Sequence, residues 1–311
     1  MIFENLEEIE EIVKRGDLDA IDRLRGGQTQ SVRYKPPYIR SALMLSGDRL
    51  RHLNRLDGLE TDVVVLNIED GVAPSMKPMA LRLIALFLAN AKSINSRTVV
   101  RINPLNEGGI EEIEYLNAIL PDAVRIPKVK SADDVKKALE LVDKRIKIDL
   151  SIETKEAFEA LSTLRVDNRV ELFYLGILDL LASMGIPQRI LQLHNPTVHY
   201  ILSRFLLKSA AQGALPVSFV FQEYTDNEAF ENWCLLERKM GFHAKGCISP
   251  AQVEIANRLF SPEEEELEWA RRVVELFESD PNRSGFADEE LGFVDEPVYK
   301  GAKKLLESFK K

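Results

Sequence analysis

Acidic side chains close several apolar runs of this chain, and basic ones close others. Around KIDLSIETKEAF (147–158), Ile146, Ile148, Leu150 and Ile152 fall on one face of a period-two strand and Asp149, Ser151 and Glu153 on the other, so the polar series ends at Glu153. ELFYLGILDLLASMG repeats the design, with an apolar run (172–175), a glycine turn at Gly176 and then Asp179. A buried acid needs a partner. Two carboxylates at the ends of successive strands would seat a hard divalent cation, because Mg²⁺ is commonly held by one or two carboxylates with water and substrate oxygens. Glu69 and Asp70 follow another run, and Arg101, Arg125 and Lys128 close two more. Carboxylates mixed with these cations suit a divalent ion that chelates an anionic substrate, with an arginine stabilising developing oxyanion charge. Plainer roles stay open: helix caps and solvated loop acids, ion pairs of Arg125 and Lys128 with Glu69 or Asp70, and Ser249 capping a helix that begins near Pro250.

These residues need a scaffold that brings strand ends together. Eight apolar runs read as strands: 42–45, 63–68, 98–102, 123–126, 146–152, 172–175, 217–221 and 246–248. Helical patterns lie between them at 78–91, 131–141, 155–164, 198–212 and 227–240. Alternation of strand and helix predicts a parallel sheet, and eight units over this length predict an α/β fold of the TIM (β/α)8 barrel type, with the site at the carboxyl ends of the strands. A doubly wound open sheet is disfavoured by the absence of a GxGxxG turn. Residues 1–39 read as an N-terminal helical arm and a linker marked by the paired prolines of RYKPPYIR. The arm is expected to pack or to make an oligomer contact. Residues 40–260 form the barrel, and 261–311 a C-terminal helical lid of two helices joined by a polar, glycine-containing loop.

With 311 residues, 45% apolar and 29% charged, the chain has the composition of a soluble globular protein. A formal net charge of −9 argues against nucleic acid or an anionic membrane as partner. The longest apolar stretch, LIALFLANA, is too short to span a bilayer, and the acidic, amphipathic start is unlike a signal peptide. Two cysteines without zinc or disulfide spacing make a reducing cytoplasm the default. The four histidines show no zinc-binding spacing.

The segments RSALMLSGD (40–48), LNIEDGVAPSMKPMA (66–80), VVRINP (99–104), VRIPKV (124–129), SIETKEAF (151–158), GILDLLASMG (176–185) and KGCISPAQVEIANRLFSPEEEELEWARRVV (245–274), in that order, resemble the HpcH/HpaI aldolase superfamily, in its citrate lyase beta subunit and malyl-CoA lyase branch. The resemblance runs over roughly residues 40 to 310. It implies a carbon-carbon lyase that uses Mg²⁺ to cleave a 3-hydroxy acyl thioester, on CoA or a carrier protein, in a homo-oligomer such as a trimer or hexamer. By it, Glu153 and Asp179 are the metal carboxylates, Arg101 binds substrate, Glu69 and Asp70 are the acidic pair, and Arg125 and Lys128 line the pocket. FVDEP resembles the family's lid motif and puts a catalytic acid at Asp295, in relatives often offered to a neighbouring subunit's site. Ser46, Asn67, Leu178 and Ser249 depart from residues usual in the family, which bears on the substrate more than the fold. A pyruvate-forming aldolase and a non-catalytic binding or assembly subunit are the alternatives.

Overall fold

The computed structural model describes residues 2–30, 36–91, 94–279 and 285–309. Part of the predicted linker (33–35) and the start of the predicted polar loop (280–284) lie outside them. Eight strands follow in order: β1 (Ser41–Ser46), β2 (Val63–Asn67), β3 (Arg97–Arg101), β4 (Ala123–Ile126), β5 (Lys147–Ile152), β6 (Val170–Leu175), β7 (Leu215–Ser218) and β8 (Ala244–Cys247). Each pairs in parallel with the next, and β8 pairs with β1, which closes the barrel. Two helices precede it, α1 (Leu6–Arg15) and α2 (Leu18–Arg25). Helices α3 (Leu50–Leu53), α4 (Lys77–Asn90), α5 (Ile110–Asn117), α6 (Ala132–Leu141) and α7 (Lys155–Glu159) follow β1 to β5 in turn. After β6 come α8 (Ile177–Ser183) and α9 (Pro196–Ala211), after β7 α10 (Asn227–Met240) and after β8 α11 (Pro250–Phe260). This is the TIM barrel that the alternation predicts.

Period-two alternation sorts the strand residues into two cores. Val64, Leu66, Val100, Val124, Ile148, Leu150, Ile152 and Phe173 face the helices. The opposite parity, Ala42, Val63, Val65, Val99, Ala123, Leu172, Tyr174, Val217 and Ala244, fills the barrel with mostly small side chains. Helix starts are set by side-chain caps: Ser131 and Asp134 form a capping box on α6, Thr154 caps α7, Asn195 caps α9 and Asp226 caps α10.

The last two strands begin two residues earlier than the apolar runs suggest. β7 starts at Leu215 although Pro216 follows, and β8 includes Lys245, a charge that hydrophobic patterning rejects. Lys245 is completely buried on the outer wall, where its Nζ lies 2.7 Å from Glu237 Oε1 of α10 and donates to the Phe219 carbonyl at 3.1 Å. Its charge is paired inside the protein, so the strand can carry it.

The chain divides into two compact units, Met1–Phe260 and Ser261–Lys311. Within the first, Phe3, Ile9 and Ile21 of the arm are buried, and Asp22 accepts hydrogen bonds from Tyr115 of α5 and, at 3.2 Å, from Arg82 of α4. The second unit holds α12 (Glu264–Glu278), β9 (Gly285–Asp288), β10 (Gly292–Asp295) and α13 (Glu296–Ser308). The expected polar loop therefore contains an antiparallel hairpin. Its turn is organised by Asp288, whose Oδ1 accepts from the Glu290 and Leu291 amides at 2.9 and 3.0 Å, and Gly292 takes a positive φ of 72°. Val294 packs with Ala270, Val273 and Ala302, and the Phe277 and Tyr299 rings stack at 4.5 Å.

Candidate active site

The inward face of β5 carries three polar residues in succession, and each meets a different cation-bearing neighbour. Lowest in the barrel, Asp149 accepts a bidentate pair from Arg97, at 2.8 and 2.9 Å. The pairing holds the Arg97 guanidinium firmly protonated against the cost of burial. In the next layer Ser151 Oγ accepts from Arg125 Nε at 2.8 Å. At the carboxyl end Glu153, 2% exposed, accepts from the Lys128 backbone amide at 2.8 Å. Lys128 is one of two described non-glycine residues with positive φ, at 52°. That conformation costs a side-chain-bearing residue roughly 1–2 kcal/mol and turns its amide toward the carboxylate.

The Lys128 ammonium then reaches back over the same spot, 3.8 Å from Glu153 Oε1 and 3.1 Å from Asp179 Oδ1. Burial works against its charge, but Glu153 and Asp179 outweigh that, and its pKa is raised. Two carboxylates from different βα units thus converge on one cation. Among the described residues no set of three or more Asp, Glu, His or Cys side chains forms a metal cluster. A two-carboxylate seat does fit Mg²⁺, which takes its other ligands from water and substrate, and the long, partly exposed Lys128 side chain can swing aside. Glu153 is held from behind by Gly176: a Cβ there would lie 2.6 Å from Glu153 Cβ and 2.8 Å from Oε2. Gly176→Ala should therefore force the strand and the turn apart, at a cost of about 1–3 kcal/mol in urea unfolding. A midpoint equal to the parent's would show that the turn has slack.

Opposite these groups, β2 and β3 end together. Arg101 Nε donates to Asn67 Oδ1 at 2.7 Å, its Nη1 lies 3.1 Å from Glu69 Oε2, and its Nη2 lies 4.0 Å from Asp70. Asn67 also accepts from the Glu69 amide at 3.1 Å and donates to the Asp70 carbonyl. An asparagine can serve both needs at once. An aspartate could not donate to that carbonyl. The contact between Arg101 and Glu69 is close but not aligned as a hydrogen bond, so Glu69 Oε2 is sealed from solvent without one.

Burial pushes the Glu69 carboxyl up to about 7; Arg101 opposes this, and Glu153 and Asp70 add to it. An acid that takes up its proton near 7 when folded and near its ordinary 4.5 when unfolded costs stability as pH rises through that interval. Glu69→Gln, which cannot ionise, should match the parent near pH 4.5 and exceed it by up to ~3 kcal/mol at pH 8. A stability difference that does not vary between those pH values would assign the effect to some other group.

The structure brings Arg101, Glu69, Asp70, Lys128, Glu153 and Asp179 to one end of the barrel, with Arg125 one layer below. Asp295 belongs to the second unit, where it caps α13 by accepting from the Val298 amide at 3.2 Å. Ser249 caps α11 through the Gln252 amide, and Ser46 donates to the Gly71 carbonyl at 3.1 Å. The alternative left open by the sequence, ion pairs of Arg125 or Lys128 with Glu69 or Asp70, is not the arrangement found: Arg101 takes both acids, and Lys128 takes Glu153 and Asp179. Sequence reasoning underrated Asn67, Ser151 and Tyr174. Their signal was parity, since each continues the inward series of its own strand.

The model of the HpcH/HpaI aldolase/citrate lyase family matches residues 40–250. A (3S)-malyl-CoA thioesterase of Cereibacter sphaeroides is 32% identical over 240 residues, 77% of this chain and 83% of that protein. A citrate lyase subunit beta-like protein of Mycobacterium tuberculosis is 31% identical over 251 residues, 79% of this chain and 86% of that one. The crystal structure of CitE from Mycobacterium tuberculosis with magnesium, acetoacetate and coenzyme A superposes with a TM-score of 0.71 at 26% identity, covering 87% of this chain and 98% of that one. With the closed barrel and the acids gathered at its carboxyl end, these likenesses make the chain a member of the HpcH/HpaI aldolase/citrate lyase family, an enzyme of the carbon-carbon lyase class.

Proposed function

We propose that the protein is a Mg²⁺-dependent lyase that cleaves a 3-hydroxy acyl thioester of the malyl, citramalyl or citryl type into an acetyl thioester and an oxo acid. The observation that carries this reading is the convergence of Glu153 and Asp179 on one cation, at the same end of the barrel as Arg101. Glu153 and Asp179 would hold the metal, which when bound supplies a Lewis acid for the substrate's carboxylate and hydroxyl oxygens. The hydroxyl loses its proton, the bond between the second and third carbons breaks, and its electron pair forms the enolate of the acetyl thioester. Arg101 would stabilise that enolate oxygen. Glu69, whose carboxyl burial pushes up to about 7, would accept a proton. Asp70 shares the Arg101 fork, and Asp295 would return a proton to the enolate carbon. The CoA-bound CitE structure and the malyl-CoA relative support the thioester class, with CoA preferred over a carrier protein.

Purified protein with Mg²⁺ and each thioester in turn should release acetyl-CoA and the matching oxo acid. Free CoA without the oxo acid would replace lyase by thioester hydrolysis, the activity named for the Cereibacter relative. No turnover of any thioester, with a 2-oxo acid and aldehyde condensed instead, would favour the aldolase. Activity toward neither would favour a binding subunit. We also propose a cytoplasmic homo-oligomer in which the second unit acts as a lid.

A further inference from the structure

Of the cations in the barrel interior, Arg97, Arg101 and Lys128 are matched by carboxylates. Arg97 has Asp149 and Glu171, Arg101 has Glu69 and Asp70, and Lys128 has Glu153 and Asp179. Arg125 is different. It is 6% exposed, yet among the described residues no carboxylate lies within 4.0 Å of it, and its one hydrogen bond runs from Nε to Ser151. Among the described residues its Nη1 and Nη2 make no hydrogen bond, and only the Nε edge is engaged. Beneath the guanidinium lies the Tyr174 ring, 4.2 Å from the Arg125 Cζ. The Tyr174 hydroxyl donates at 3.4 Å to Asp149, itself locked by Arg97.

A buried charge without a counter-charge is costly, and the ring face and one hydroxyl offset only part of that cost. We infer that Arg125 is the seat of a ligand carboxylate, and that Ser151 and Tyr174 are positioning residues that pitch its guanidinium toward the mouth. This rests on the reading of the barrel mouth as an anionic-substrate site, and it names the part of the substrate that Arg125 would take. Ser151 fixes the Nε edge, leaving the two-nitrogen edge free for bidentate contact with a carboxylate. Tyr174 supports the guanidinium plane from below, and the Arg97–Asp149 pair keeps the ring from turning. Burial together with nearby Arg101 lowers the Arg125 pKa to about 10, against the weaker opposing influence of the more distant Glu153 and Glu69.

The test uses malonate, an unreactive dicarboxylate, titrated by calorimetry into the full-length protein, alongside thermal unfolding. Arg125→Met should abolish the binding seen for the parent. Ser151→Ala should weaken it about three- to tenfold with an unchanged melting temperature, Tyr174→Leu more than tenfold, and Tyr174→Phe, which keeps the ring, less than threefold. In turnover assays the same variants should raise KM more than they lower kcat, a split that general loosening of the barrel would not produce. Parental malonate affinity in Ser151→Ala and Arg125→Met, or no malonate binding by the parent, overturns the inference. If Tyr174→Leu does not fold, Ser151→Ala and Tyr174→Phe decide. Should the malonate pattern hold while no thioester is cleaved, the lyase reading falls and the anion seat stands.

Discussion

Replacing Arg101 by methionine should lower turnover of the thioester about 10²- to 10³-fold, the usual loss when one donor to a developing oxyanion is removed. The geometry explains why nothing nearby substitutes. Arg101 spans Asn67, Glu69 and Asp70 with one fork, and Arg125, a layer lower, is tied to Ser151. Arg101→Lys keeps the charge but cannot reach three partners at once, so it should recover only part of the rate. The stability of the methionine variant should depend on pH. Without Arg101, Glu69 loses the main influence that opposes its burial and takes up a proton at still higher pH. Near pH 6 the variant holds a neutral acid and should melt close to the parent, whereas above pH 8 ionisation of a lone buried carboxyl should lower the melting temperature clearly. More than ~10% residual kcat would remove Arg101 from the chemistry.

The second large effect lies outside the site. Lys245→Met should destabilise the barrel by about 3–5 kcal/mol, the cost of leaving one member of a buried ion pair alone. Lys245 and Glu237 are both fully buried. The ammonium also lies 3.9 Å from the Phe219 ring centre, and Ser218 donates to the same Glu237 oxygen at 2.7 Å. Glu237 Oε2 has no hydrogen bond at all, and burial pushes its carboxyl up. Removing the lysine leaves an acid that must take up a proton or break open the contact between β8 and α10. Lys245→Met with Glu237→Leu removes both charges and should recover most of the loss. Denaturant midpoints for the two single variants and the double give the coupling directly. Additive losses would mean that the pair is not a unit.

Much of the fold was legible because patterning reports burial. The strands from β1 to β6 were marked by apolar runs, and α10 by the helical pattern at 227–240, which is where the helix lies. What patterning could not report was a charge buried with its partner, hence the predicted start of β8 at 246, after Lys245, where the strand begins at Ala244. The hairpin 285–295 was hidden for another reason: its strands have four residues each, and only Val294 is fully buried. Within the site, strand-end position found the acids and Arg101. It could not show that Lys128 would turn its amide to Glu153 through a left-handed backbone, or that Arg125 would stay unpaired. Those depend on contacts between strands far apart in sequence.

Gly176 touches Glu153, and Asp179 rides three residues later on the helix that this turn begins. The two carboxylates are therefore geared together through a spacer of fixed length. One added residue between Gly176 and Asp179 would rotate the second carboxylate by roughly 100° about the helix axis, since 3.6 residues make a turn, and carry it off the shared cation. The geometry of this stretch therefore depends on its length more than on the side chains between Gly176 and Asp179, and a change of length would part the two acids.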